Sequence, residues 1–139
     1  KEKLSILKEE YDIEAVIYSD IFLEDIKEKR EKLLREIELE GVFPIWGRDT
    51  KELLNEFLED FQGVIVTVDE EKAPVELVGK EFSSEILEKD IDPCGEKGEF
   101  HSFVFDAPFF DEKIEISRGD KKRKETEEGH SVYQDIEPV

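Results

Sequence analysis

The run Gly95-Glu96-Lys97-Gly98-Glu99-Phe100-His101 brings carboxylates and an imidazole together between two glycines. Glycines of this spacing bracket a tight turn and let the backbone come close to a ligand. In the extended segment that follows, Glu99 and His101 point to the same side, because the side-chain period of a strand is two. A carboxylate beside an imidazole holds its tautomer and forms an acid/base pair. Glu99 and His101 are therefore the candidate catalytic residues, with Gly95, Glu96 and Gly98 as the turn that meets substrate. The plainer alternative is a surface turn whose His packs against Phe103, since structural pairs of this kind are common.

Two further segments end where ligands collect in open parallel sheets, beyond the carboxyl ends of strands. Ser19-Asp20-Ile21-Phe22-Leu23-Glu24 follows one apolar run and offers Asp20, with Glu24 about a helical turn on. Asp20 could equally cap the next helix. Trp46-Gly47-Arg48 follows a second run. Trp46 either stacks on substrate or fills core, and Arg48 either clamps an anion or pairs with one of the many acids. No metal site is expected: there is no C-x-x-C and no H-x-x-x-H spacing. The single cysteine, Cys94, reads as a small buried hydrophobe. Neither G-x-x-x-x-G-K-[ST] nor G-x-G-x-x-G occurs, and no nucleophile elbow is present.

The elements that must position these groups read as α/β. Leu4, Leu7 and Tyr11 share a helical face over residues 1–14. Ala15 to Asp20 is a short apolar run of the kind buried on both faces of a parallel sheet. Residues 22–38 are helical again, with Gly41 placed to end the helix. Val42 to Trp46 reads as a strand, with Pro44 where no ladder bond is needed. Asp49 or Thr50 caps a helix to about residue 60, closed by Gly63 before the strand Val64–Asp69. Residues 15–69 thus read β-α-β-α-β, a pattern that predicts parallel pairing. Beyond residue 70 come a weak helix at Glu81–Glu88, a turn-rich acidic stretch at 90–99 and a clear strand at Phe100–Asp106. Shorter strands at 114–118 and 131–136 are joined by a charged run, 119–129, expected to be an exposed mobile connection.

Composition excludes several classes. The chain has 139 residues, 20 Lys and Arg against 39 Asp and Glu, and a net charge of −19. Nucleic-acid binding needs clustered cations to neutralise phosphates, so it is not expected. Ten Phe and one Trp argue against a disordered acidic tail. No apolar run approaches the roughly 20 residues of a membrane span, and no signal peptide is visible. A lone cysteine fits a reducing, cytoplasmic setting. The Glu- and Lys-rich composition suggests a thermophile. There is no Met, which suggests that Lys1 is not where the gene begins.

Three strings carry a resemblance. Asp92-Pro-Cys-Gly-Glu-Lys-Gly-Glu-Phe-His-Ser-Phe-Val-Phe-Asp-Ala-Pro-Phe-Phe110 resembles the G-E-N-G-E-[FY]-H-T-F-V-x-D-G-P signature of the diphthine–ammonia ligase-like family of N-type ATP pyrophosphatases. Ser19-Asp-Ile-Phe-Leu-Glu-Asp25 is similar to that family's G-D-I-F-L-E-D, and Phe43-Pro-Ile-Trp-Gly-Arg-Asp-Thr50 to its F-P-L-W-G-R-D-T. Order and spacing agree from about residue 12 to about 112. Ser19, Lys97, Ser102 and Ala107 depart from the pattern, and the last 25 or so residues match poorly.

The resemblance implies the remainder of a parallel-sheet nucleotide-binding (HUP-like) domain in residues 1–62. A smaller α+β C-terminal domain carrying G-E-x-G-E-F-H then occupies 63–139. It implies an enzyme that activates a carboxylate with ATP, with Mg2+ expected, releases pyrophosphate from an acyl-adenylate intermediate, and lets ammonia form the amide. In the best-known branch the acceptor is diphthine on translation elongation factor two. The family's S-G-G-K-D-S loop is absent here, so it is expected upstream of Lys1, and the 139-residue chain alone is expected to be inactive. Carried over, Asp20, Glu24, Trp46, Gly95, Glu96, Gly98, Glu99, His101 and Asp106 match the family pattern. A non-catalytic binding or dimerising module of the same origin is the alternative, and a homodimer is compatible with either. A hydrolase working through Glu99 and His101 without ATP ranks last, for want of a nucleophile or metal set.

Overall fold

The computed structural model describes residues 1–126 and 129–139. It is mixed α/β and divides into two compact units, Lys1–Arg48 and Asp49–Val139. The sequence reading set its boundary at 62/63. The difference concerns one helix, which here belongs with the second unit.

The first unit contains α1 (Glu2–Tyr11), β1 (Ala15–Ile17), α2 (Glu24–Arg35) and β2 (Glu40–Val42). β1 and β2 pair in parallel, with Val16 opposite Gly41. Helix α2 buries Leu34 on its apolar side. Its end departs from expectation. Gly41 lies inside β2, and the left-handed position is taken by Glu38, at φ 53°. Glu38 N–H donates to Arg35 O at 3.3 Å and Leu39 N–H to Leu34 O at 3.1 Å. These are the paired bonds of a Schellman closure. Burial of Leu39 beside Leu34 supplies the apolar contact that usually accompanies it.

Two other expectations for this unit are corrected. β1 is not buried on both faces: Ile17 is 73% exposed, since only β2 flanks the strand within this sheet. Phe43 to Trp46 is not a strand. The chain turns after Val42, with Trp46 N–H donating to Phe43 O at 3.2 Å and Arg48 N–H to Ile45 O at 3.2 Å. Pro44, with its fixed φ and no N–H to donate, favours that turn over a ladder.

The second unit contains α3 (Thr50–Asp60), β3 (Gln62–Asp69), β4 (Phe100–Asp106), β5 (Ile116–Thr126) and β6 (Gly129–Pro138). Asp49 caps α3, its side chain accepting from the N–H groups of Lys51 and Glu52. The four strands form an antiparallel sheet in the order β4-β3-β6-β5. β3 therefore does not extend the parallel pairing predicted for residues 15–69. Its continuous apolar run is buried between two antiparallel neighbours instead, and a run buried on both faces cannot itself reveal strand direction. Gly63 lies within β3 rather than closing α3.

The core of this unit joins Leu54 of α3 to Ile65 and Val68 of β3, Phe100 of β4 and Val132 of β6. Leu77, Val78 and Ile86, from 3-10 turns and their flanks, cover it. Fully burying a Leu, Ile or Val side chain contributes roughly 1.5–3 kcal/mol, so each member of this cluster adds substantially to the unit's stability.

The charged stretch read as a mobile connection is strand through residue 126. Lys121, Lys122, Arg123 and Lys124 pair with Gln134, Tyr133, Val132 and Ser131 of β6. Cross-strand ion pairs replace the missing apolar alternation. Arg123 donates from Nε and Nη2 to both oxygens of Glu70, at 2.8 and 2.7 Å, and this guanidinium holds the Glu70 carboxyl below the ordinary carboxylate range. Lys122 pairs with Asp135. Glu127 and Glu128, part of the same expected connection, lie outside the described residues.

Candidate functional site

The Asp90–Glu99 loop is held by two inward-turned carboxylates. Asp92 is 8% exposed and Glu99 4%. Asp92 Oδ1 accepts from Cys94 N–H at 3.0 Å and Glu96 N–H at 3.2 Å. Glu99 accepts from Asp92 N–H through Oε1 at 3.0 Å and from Lys97 N–H through Oε2 at 2.9 Å. Further turns close through main-chain bonds, Gly95 N–H to Asp92 O and Gly98 N–H to Gly95 O, each 3.0 Å. Gly95 and Gly98 have φ of +71° and +81°, which L side chains rarely adopt. A Cβ at Gly95 would also stand 3.0 Å from the Phe100 ring.

Glu99 thus has both oxygens engaged by the main chain, and among the described residues no hydrogen bond links it to His101. His101 stands on β4 opposite Thr67 and is exposed. Glu96 is half-buried in the loop, its N–H held by Asp92. Asp106 closes β4, opposite Gln62.

Cys94 is half-buried, its Sγ donating to Thr50 O at 3.4 Å. Burial pushes the thiol up to about 11, and the charges of Asp92, Glu96 and Asp49 add to the shift. At neutral pH it is a protonated thiol, so it is not poised as a nucleophile.

Beside the loop lies a cleft of about 550 Å3. Its wall includes Lys51 in the first turn of α3, Lys72 after β3, and Asp90, Asp92, Lys97 and Glu99 of the loop. The sequence reading missed Lys51 and Lys72, because no motif spacing connects them to the turn. It also missed Asp92 as the loop's anchor. The available cue was an Asp followed by Pro-Cys-Gly, since Asp side chains bond their own backbone two residues on.

The remaining predicted residues belong to the first unit. Asp20 does not cap α2, whose N-cap is Leu23. It is instead clamped by Arg30, with Nη2 3.0 Å from Oδ1 and Nε 2.6 Å from Oδ2. Arg30 also lies over the Tyr18 ring at 4.3 Å. Trp46 meets Phe43 edge-on at 6.2 Å, and Lys27 Nζ sits 4.2 Å from its ring centroid. That face of the indole carries a cation–π contact rather than open solvent. Glu24 is exposed at the start of α2, and Arg48 is half-buried after the turn.

A family model described as the diphthamide synthase C-terminal domain matches residues 49–137. The chain belongs to that family. The matched stretch begins at Asp49, where the second unit begins, and it contains the whole turn and cleft. Curated relatives include proteins named diphthine–ammonia ligase. The one from Rattus norvegicus is 27% identical over 125 residues, covering 83% of this chain and 46% of its own length. The one from Bos taurus is 26% identical, covering 81% and 46%. The one from Schizosaccharomyces pombe is 24% identical, covering 92% of this chain and 22% of its own length. The chain thus spans about half the length of the mammalian relatives it matches, and less of the yeast one.

Among the described residues, no group of three His, Cys, Asp or Glu side chains is placed to hold a metal ion. Among the same residues no helix is long and apolar enough to cross a membrane.

Proposed function

We propose that this chain is the acceptor-side part of an ATP-dependent carboxylate–ammonia ligase whose acid is diphthine or a close analogue. The observation that carries the reading is the coincidence of the family match at 49–137 with a unit whose signature turn is built by buried carboxylates. In the overall reaction, the acid and ATP give an acyl-adenylate and pyrophosphate. Ammonia then displaces AMP and loses a proton, leaving the amide. ATP supplies the activation, with Mg2+, in the whole cytoplasmic enzyme.

This chain's residues present and orient the acid. Asp92 and Glu99 fix the turn from within, Gly95 makes room for the Phe100 ring behind it, and Gly98 allows close approach of a substrate. His101 is the exposed group on β4 available to move the proton of the attacking ammonia. Orientation of two bound reactants is worth more than any one acid/base residue. Asp106, at the end of β4, supports substrate binding in this reading, while Asp20, Glu24, Trp46 and Arg48 remain candidates of the first unit taken by itself.

The test uses the whole protein that contains this chain. ATP–pyrophosphate exchange should require the acid, and AMP release should require ammonium as well. His101→Ala should abolish amide formation while leaving exchange unchanged. Exchange that ignores the acid, or turnover by the 139-residue chain alone, would refute the assignment.

One observation favours a second reading, a non-catalytic binding module of the same family. The most buried carboxylates of the turn hold main-chain N–H groups rather than a catalytic partner. An upstream reading frame lacking S-G-G-K-D-S would favour that module.

A further inference from the structure

We infer that the ring of Phe109, with Phe61 and Phe110 beside it, is a docking surface for a basic, apolar segment of another protein. The inference goes beyond the ligase reading and does not rest on it.

No aromatic side chain among the described residues is more exposed than Phe109, at 75%. Its ring meets Phe110 at 5.3 Å and Phe61 at 6.1 Å. Phe61 stacks on Phe57 at 5.2 Å, and Phe57 reaches the buried Phe100 through Phe82, at 5.2 and 5.8 Å. The exposed ring thus ends an aromatic row anchored in the core, and a surface already in place loses little freedom when it binds. Apolar residues scattered singly are ordinary on a surface, whereas grouped ones mark interaction sites.

The charge around the rings says what the partner carries. Glu59 and Asp60 precede Phe61, and Asp111 and Glu112 follow Phe110. All four are exposed, and among the described residues none of them enters a salt bridge. Glu70, Glu81 and Asp135, elsewhere in the unit, are each paired with an Arg or a Lys. Lys113 is turned to Gln62 Oε1 at 2.9 Å and lies 5.0 Å from the centroid of the Phe105 ring. Glu59 and Asp60 also occupy the last turn of α3, which holds no basic residue. The main-chain carbonyls there already carry partial negative charge. Helices α1 and α2 show the favourable arrangement, with Lys8, and with Lys32 and Arg35, in their last turns. Helix α3 therefore keeps an unfavourable charge arrangement beside the exposed rings, and cations brought by a partner relieve it. Lys and Arg also settle on aromatic faces. A second copy of this chain fits poorly, because cations of its basic strand β5 are engaged at home: Lys121 with Val78 O, Lys122 with Asp135 and Arg123 with Glu70.

The probe is a short synthetic peptide of Leu and Lys in amphipathic helical spacing. It is titrated at about 0.15 M salt into the 139-residue chain and into the whole protein that contains it. It should bind both, with amide shifts clustered at residues 58–61 and 107–112, a readout that needs no variant to fold. The same peptide with Glu for Lys, or with Ser for Leu, should not bind. Phe109→Ser should weaken binding about tenfold, as for an aromatic anchor, and should leave the urea midpoint near that of the unsubstituted chain. Glu59→Gln with Asp60→Asn should weaken it roughly fivefold. Glu2→Gln with Glu28→Gln, an equal change of charge on α1 and α2, should leave it unchanged. The inference is overturned by no binding at millimolar peptide, by equal binding of the peptide with Ser for Leu, by shifts spread over the acidic surface at large, or by binding that is lost in the whole protein. Dimerisation in sedimentation that Phe109→Ser abolishes would also overturn it, by giving the rings to a second copy.

Discussion

Replacing Glu99 by Gln and Asp92 by Asn should have unequal consequences, although each change removes one negative charge from a buried carboxylate. Glu99 uses its two oxygens separately, accepting one N–H bond on each, at 3.0 and 2.9 Å. A Gln amide can supply only one acceptor oxygen. One buried N–H must then face an NH2 group. Losing a bond to a charged acceptor costs about 1.5–3 kcal/mol, and the bond that remains weakens to a neutral one. The total for Glu99→Gln is roughly 3 kcal/mol. Asp92 instead receives both its N–H bonds on Oδ1, at 3.0 and 3.2 Å. Asn keeps that oxygen, so both bonds persist in weakened form, at a cost of about 1–2 kcal/mol. Relief of the chain's −19 self-repulsion is the same for both variants and cancels in the comparison. For a unit of this size, 1 kcal/mol moves Tm by about 4–8 °C. Glu99→Gln should therefore melt roughly 5–15 °C below Asp92→Asn, with the same order in urea midpoints. Equal melting, or the reverse order, would show that these carboxylates do not hold the loop in the way described.

The other predictions concern the same loop and its neighbour helix. Gly95→Ala should cost more than Gly98→Ala in urea unfolding. Both force a positive φ at about 1 kcal/mol, but the first also drives a methyl to 3.0 Å from the Phe100 ring, whereas the second meets only the movable end of Lys72. Alkylation of Cys94 by iodoacetamide should show a midpoint near 11 in the native chain, against 9.0 for an ordinary thiol. Because the folded value is the raised one, this thiol's contribution to stability is intact below pH 9 and is lost as pH climbs towards 11; a native midpoint at the ordinary value would refute it. Asp49→Ala should lower stability by about 1 kcal/mol in urea melts through loss of the α3 cap, and Asp49→Ser should restore most of it.

Local chemistry was legible in the sequence wherever one residue type has one use. The Asp49 cap, the strand Phe100–Asp106 and the turn between Gly95 and Gly98 all follow from composition at a few positions. What could not be read was partnership. The apolar run of β3 is the same whether its neighbours run parallel or antiparallel. The lysine-rich stretch of β5 has no apolar period because it lies at the sheet edge, opposite β6 alone, where Glu70 and Asp135 supply partners distant in sequence. The turn that closes α2 takes its left-handed residue at Glu38 rather than at a glycine, where burial of Leu34 and Leu39 outweighs the local preference. At the candidate site, the sequence located the turn but not the direction of its carboxylates. Glu99 and His101 are spaced to share a face, yet Glu99 precedes β4 and turns into the loop while His101 faces out.

That inward turn also accounts for the departure at residue 97, where the family pattern has Asn. The contact that the loop requires there is main-chain, Lys97 N–H to Glu99 Oε2 at 2.9 Å, and any residue except proline can provide it. The Lys97 side chain is exposed, whereas the Glu99 acceptor of its N–H is buried. Lys97→Asn, which keeps the N–H, should accordingly leave the unfolding free energy in urea within about 0.5 kcal/mol of the unsubstituted chain. Lys97→Pro, which removes the N–H and leaves one Glu99 oxygen unpaired, should destabilise the unit by about 1–3 kcal/mol. If Asn proved as damaging as Pro, the side chain rather than the main chain would be what the turn depends on at this position.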